Sequence, residues 1–181
     1  MIYDLPKSID VCGVEYEIET DFRAILDIFS ILSDEDLDAE TKSIGMLGIF
    51  YFDFMKMPAE HIPEALKQCL WFINSGQEEK NKNTTKLMDW GQDFQYIIAP
   101  INRIAGKEVR SLSYLHWWTF LSYYREIGDC YFAQIVRIRD LKEKGKLKDK
   151  ADKDFYSKNR DAIDLKKRYS AAEEEMIKGW T

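Results

Sequence analysis

The residues with which this chain could do chemistry are few: His61, His116, three cysteines and the ring-rich stretch LHWWTFLSYYREIG, residues 115–128. A metal site or a nucleophile–base pair would need such groups in close sets, because ligands and proton partners share one small volume. Neither histidine lies in an HExxH, GxSxG or CxxCH arrangement. His61 and Cys69 stand eight apart on one predicted helix, roughly 12 Å at the helical rise, too far to share a proton. Cys12, Cys69 and Cys130 are odd in number and far apart, which suits reduced, small apolar residues rather than disulfides or zinc ligands. Asp34, Asp36 and Asp38 alternate as in a calcium loop, but Ala39 falls where that loop needs glycine and Gly45 where it needs a bidentate Glu. No glycine-rich loop ends in Lys-Ser/Thr, and Gly45 with Gly48 in an apolar helix suits close packing. The expectation is a non-enzymatic protein with no catalytic residue, no metal ligand and no cofactor.

The ring-rich stretch therefore reads as contact area. The spacing predicts a helix from about Ser111 to Ile127, on which Trp117, Phe120, Leu121, Tyr123, Tyr124 and Ile127 share an arc wider than a surface helix requires. Trp117, Phe120 and Tyr124 are expected in a core, with His116 a hydrogen-bonded core histidine. Trp118 falls outside the arc beside Leu115, Ser122 and Arg125, so Leu115, Trp118 and Arg125 are candidate partner contacts.

The elements around this helix follow from pattern. SIDVCGVEYEIET alternates on both sides of Cys12-Gly13 and predicts a hairpin over about 8–20. Thr20 or Asp21 can cap a helix carrying Phe22, Ile25, Leu26, Phe29 and Leu32 on one face. An acid-rich start favours the helix dipole of a second helix, from about Leu37 to Met57, which stops before Pro58. A third lies between His61 and Asn74, a fourth carries Phe94 to Ile104 with an expected kink at Pro100, a further one follows Asp129, and a last one spans about Asp152 to Arg168. QEEKNKNTTK has no apolar residue and reads as a solvated loop. The predicted fold class is mainly α: a compact bundle of about six helices with a short N-terminal β-hairpin, one domain over 1–168 and a flexible tail at 169–181.

At 181 residues, with 45% hydrophobic and 32% charged residues, the chain is too apolar for disorder and too charged for a membrane protein. Its most apolar run, Ile44 to Met55, contains Asp53 and is far shorter than a bilayer span. No export signal is read at the start, so the expected location is the cytoplasm of a bacterial host, without membrane contact. Charge is polarised: residues 1–64 hold 4 Lys+Arg against 15 Asp+Glu, net −11, and residues 137–168 hold 13 against 7, net +6. Such polarity suits contact between the chain's own ends, head-to-tail association of copies, or two solvated faces. The basic segment raises nucleic acid as a partner, but acids interrupt it throughout and the aromatics lie in a separate helix, so nucleic acid is disfavoured.

The Leu5-Pro6 opening, Thr20-Asp21-Phe22-Arg23, Leu70-Trp71-Phe72-Ile73, Leu115-His116-Trp117-Trp118-Thr119-Phe120 and Ile135-Val136-Arg137-Ile138-Arg139 together resemble a family of small phage proteins. These are the tail assembly chaperones of long-tailed phages and prophages of Gram-positive bacteria. The resemblance covers nearly the whole chain, with LHWW followed by F its most specific element; residues 77–86 and those after Tyr169 carry none of it. It implies a non-catalytic protein, encoded just before the tape measure protein, that coats that long chain until tube subunits replace it. The implied partners are the tape measure protein and copies of the chaperone, with room for a longer, frameshifted partner. Arg137 and Arg139 join Leu115, Trp118 and Arg125 as candidate contacts. The alternatives are a structural tail or connector component and a DNA-binding regulator.

Overall fold

The computed structural model describes residues 4–77 and 85–166. They group into two compact units, one of residues 4–77 with 113–121 and one of 85–112 with 122–166. The chain is mainly helical with an N-terminal two-stranded antiparallel hairpin, as its patterning predicts. The solvated loop expected at 77–86 and the tail expected at 169–181 lie largely or wholly outside the described residues.

In the first unit, β1 (Ser8–Val11) pairs with β2 (Val14–Glu17) in the register Ile9 opposite Tyr16 and Val11 opposite Val14. Both Cys12 and Gly13 have positive φ, 55° and 81°, which a two-residue hairpin turn requires and which glycine supplies without steric cost. Asp21 accepts from the Arg23 N–H and starts α1 (Phe22–Leu32); Asp38 accepts from the Thr41 N–H and starts α2 (Ala39–Phe50). The acid-rich run before α2 is thus a helix start. Gly45 lets α2 close on α1, since a Cβ there would meet Ile31 Cδ1 at 3.2 Å.

The second helix ends seven residues earlier than its apolar pattern predicts. Tyr51 leaves the helix to bridge Ile18, and Glu19 N–H donates to Phe50 O at 2.8 Å, so tertiary pairing with the hairpin's exit strand overrides helix propensity. Short 3-10 turns at Phe54–Lys56 and Ala59–His61 lead into α3 (Ile62–Ile73), with proline in its first turn.

In the second unit, α4 (Trp90–Ala105) begins at the Asp89 cap, runs on through Pro100 and ends at Gly106, where φ is +67°. Before the ring-rich helix, Val109–Ser111 form a 3-10 turn. The helix itself, α5 (Trp117–Arg125), has residues 117–121 in the first unit and 122–125 in the second, and is shorter than the predicted Ser111–Ile127. Leu115 and His116 are extended instead: Phe22 N–H donates to Leu115 O and Trp117 N–H to Thr20 O, so the chain pairs with the entry to α1 and cannot coil there.

Further along are α6 (Tyr131–Glu143), α7 (Lys150–Lys158) and α8 (Arg160–Ile163). The single last helix expected from Asp152 is two, broken at Asn159, whose Nδ2 returns to Phe155 O while its Oδ1 accepts from the Tyr131 hydroxyl at 2.9 Å. Ile135, Ile138, Ala162 and Ile163 form the apolar centre of this unit, with Tyr96, Leu141, Leu147, Phe155 and Tyr156 around it.

Candidate functional site

The ring-rich stretch is a packing centre. Trp117 is fully buried, its indole Nε1 donates to Ile73 O at 2.8 Å, and its ring stacks on Phe120, which in turn lies parallel to Phe22 with centroids 4.6 Å apart. His116 is buried too. Its Nδ1 accepts from the Trp118 N–H at 3.0 Å, which leaves the proton on Nε2, directed at Pro6 O at 3.1 Å. That is the tautomer of a neutral, structural imidazole, and burial, the largest influence, pushes its pKa below the ordinary value. The second histidine is likewise occupied: His61 Nδ1 and the Tyr16 hydroxyl lie 2.9 Å apart. Cys69 is buried in α3, where desolvation drives its thiol far above the usual range and away from thiolate chemistry. Among the described residues no group of three or more His, Cys, Asp or Glu converges as metal ligands would, and every buried side-chain nitrogen or oxygen has a partner.

The five candidate contacts are separated by the structure. Leu115 is buried in the first unit, so it is packing rather than contact area. Arg139 is buried in the second, paired with Asp93 at 2.7 and 2.9 Å and donating to Ile163 O, Ala162 O and Leu87 O. A guanidinium with every donor direction used inside its own unit cannot reach a partner. Trp118 is half-buried: its Nε1 donates to Phe72 O at 2.8 Å, and its ring stacks on Phe72 and meets Trp71 edge-on. Arg125 and Arg137 are exposed, with Arg137 held by Asp152 at 2.5–3.1 Å.

Exposed apolar area lies elsewhere. Phe52 is 63% and Met55 92% exposed, in the segment that leaves α2 to pair with the hairpin. Beside Phe52 opens a cleft of about 400 Å³ whose lining includes Lys7, Glu17, Glu19, Thr20, Phe52 and Tyr114, all in the first unit. Backbone pairing places one wall, with Phe52 N–H donating to Glu17 O, and a side-chain contact another, with the Tyr114 hydroxyl 2.7 Å from Thr20 Oγ1. Glu19 Oε1 is spent on the Thr20 and Asp21 N–H groups, whereas the Glu17 carboxylate has no partner among the described residues. Phe52 and Met55 escape a sequence reading because a helix through Met57 would place them by period; the break at Tyr51 is set by Ile18, distant in sequence.

A family model described as Bacteriophage Gp15 protein matches residues 1–165. The chain belongs to this family. It is thereby a bacteriophage protein, as the LHWWTF resemblance anticipates at that coarser level, and the match takes in both compact units. No curated protein and no solved structure matches the chain. Among the described residues no helix is long and apolar enough to cross a membrane.

Proposed function

We propose that this phage protein is a non-catalytic tail assembly chaperone that binds the tape measure protein and self-associates in the host cytoplasm. The observation that carries the reading is the pairing of a filled, fully hydrogen-bonded aromatic core with large apolar side chains left bare at Phe52 and Met55. A long helical partner presents apolar stripes, and exposed flexible or aromatic side chains hold such stripes by burying area. Many weak copies along one chain act together through effective concentration. The resemblance of the LHWWTF, LWFI and IVRIR segments to tail assembly chaperones, and membership of a bacteriophage family, point the same way. The surface supporting this function is the exposed pair Phe52 and Met55 rather than Leu115 or Arg139. Co-expression with the neighbouring tape measure gene tests it. The tape measure protein should co-purify with this chain, and this chain should be absent or scarce in purified virions. Abundance in virions would favour a structural tail component, and a duplex-DNA gel shift at low salt would favour a regulator.

A further inference from the structure

The charge polarity of the sequence follows the two units. Described residues of the first hold 5 Lys+Arg against 15 Asp+Glu, net −10; those of the second hold 16 against 12, net +4. In the second unit the turn between α6 and α7 concentrates the positive side. Gly145 takes φ +64°, Lys146 N–H returns to Leu141 O at 2.7 Å, and Leu147 packs onto the Ile135–Ile138–Ile163 centre. With Leu147 anchored inward, Lys146 and Lys148 on either side of it are exposed, and neither ammonium has a partner among the described residues.

In the first unit, the cleft presents complementary chemistry. The unpartnered Glu17 carboxylate sits among Glu19, the 63%-exposed Phe52 and the 48%-exposed Tyr114. Lys7 also lines it, so the cleft carries a small net negative charge within a strongly negative unit. A carboxylate beside open aromatic faces suits a lysine, whose methylenes lie on the rings while the ammonium meets the acid.

We infer that this cleft receives Lys146 or Lys148 from the α6–α7 turn of a second copy of the chain, in a head-to-tail contact. The inference rests on the self-association named in the proposed function. The two surfaces differ, so each copy offers one cleft and one turn to its neighbours. Exposed ionic contacts of this kind weaken as salt rises.

Sedimentation velocity on the full chain tests it, at about 50 mM and about 500 mM salt, either side of the physiological screening length. The wild type should form species larger than a monomer at low salt and revert toward monomer at high salt. Glu17→Lys, and separately Lys146→Glu with Lys148→Glu, should each weaken association by about tenfold or more. All three positions are exposed, and unchanged circular dichroism confirms that the variants fold. An equimolar mixture of the two variants restores charge complementarity, because the intact turn of one meets the intact cleft of the other and the two reversed surfaces again carry opposite charges, so it should associate where each variant alone does not. Wild-type oligomers that ignore these changes, or a mixture that stays monomeric, would overturn the contact while leaving self-association standing. A wild type that is monomeric throughout would overturn both, and co-purification with the tape measure protein would then stand alone.

Discussion

The carboxylate of Asp21 joins two segments 94 residues apart: one oxygen caps α1 through the Arg23 N–H at 2.9 Å, and the other accepts from the Leu115 N–H at 3.0 Å. The ring-rich helix is therefore hung from the start of the first one. Removing Asp21 strands two N–H groups together. Asp21→Ala should cost about 2 to 4 kcal/mol of stability, a cap plus a lost internal bond. Asp21→Asn should recover part of this, because the amide oxygen can still accept one bond. Urea denaturation of both variants checks the order.

Trp117→Ala should cost about 3 to 5 kcal/mol, the usual loss for a large buried ring. On sequence spacing alone Trp118 would be dispensable for folding, but its bond to Phe72 O and its stacking on Phe72 make it part of the fold. Trp118→Ala should therefore cost about 1 to 3 kcal/mol. Trp118→Phe, which keeps the stacking, should cost less. Thermal denaturation of the three variants checks this.

Arg139 and Asp93 form a buried pair whose members fail separately. Arg139→Met leaves the Asp93 carboxylate inside the second unit with the Asp89 N–H and no opposite charge, and should cost about 3 to 5 kcal/mol. Adding Asp93→Leu should restore a good part of the loss, since two apolar groups replace two charges. A double-mutant cycle by denaturant titration measures the coupling.

His116 makes stability depend on pH. Its folded-state pKa lies below the ordinary 6.5 because burial opposes the imidazolium and outweighs the opposite pull of Pro6 O, with the charge of Lys7 adding a smaller depression. The unfolded chain thus binds the proton first. Stability is full above about pH 6.5 and is lost as pH falls through the lowered folded value. Between about pH 7.5 and pH 5.5 the wild type should lose more stability than His116→Gln. Equal losses in paired denaturation curves would contradict this assignment.

Local signals place the hairpin, the cap at Thr20 or Asp21, and α3 and α6 closely, because turn and cap chemistry is written in neighbouring residues. What escaped them depends on distant pairing. Tyr51 ends α2 because it meets Ile18, Leu115 and His116 stay extended because they meet Thr20 to Phe22, and Asn159 divides the last helix through Tyr131. The candidate surface suffered most. Helical spacing put Leu115 outside the core arc, but Leu115 is not helical, and Arg139 looked like a surface cation because its partner Asp93 is 46 residues away.

The most direct test of partner binding is recovery of the tape measure protein with tagged chain after co-expression, comparing wild type with Phe52→Ala/Met55→Ala. Both side chains are largely exposed, so the double variant should keep the wild-type melting temperature. The wild type should retain the tape measure protein, and the variant should retain about tenfold less or none. No recovery with the wild type, or equal recovery with the variant, would contradict the proposed binding.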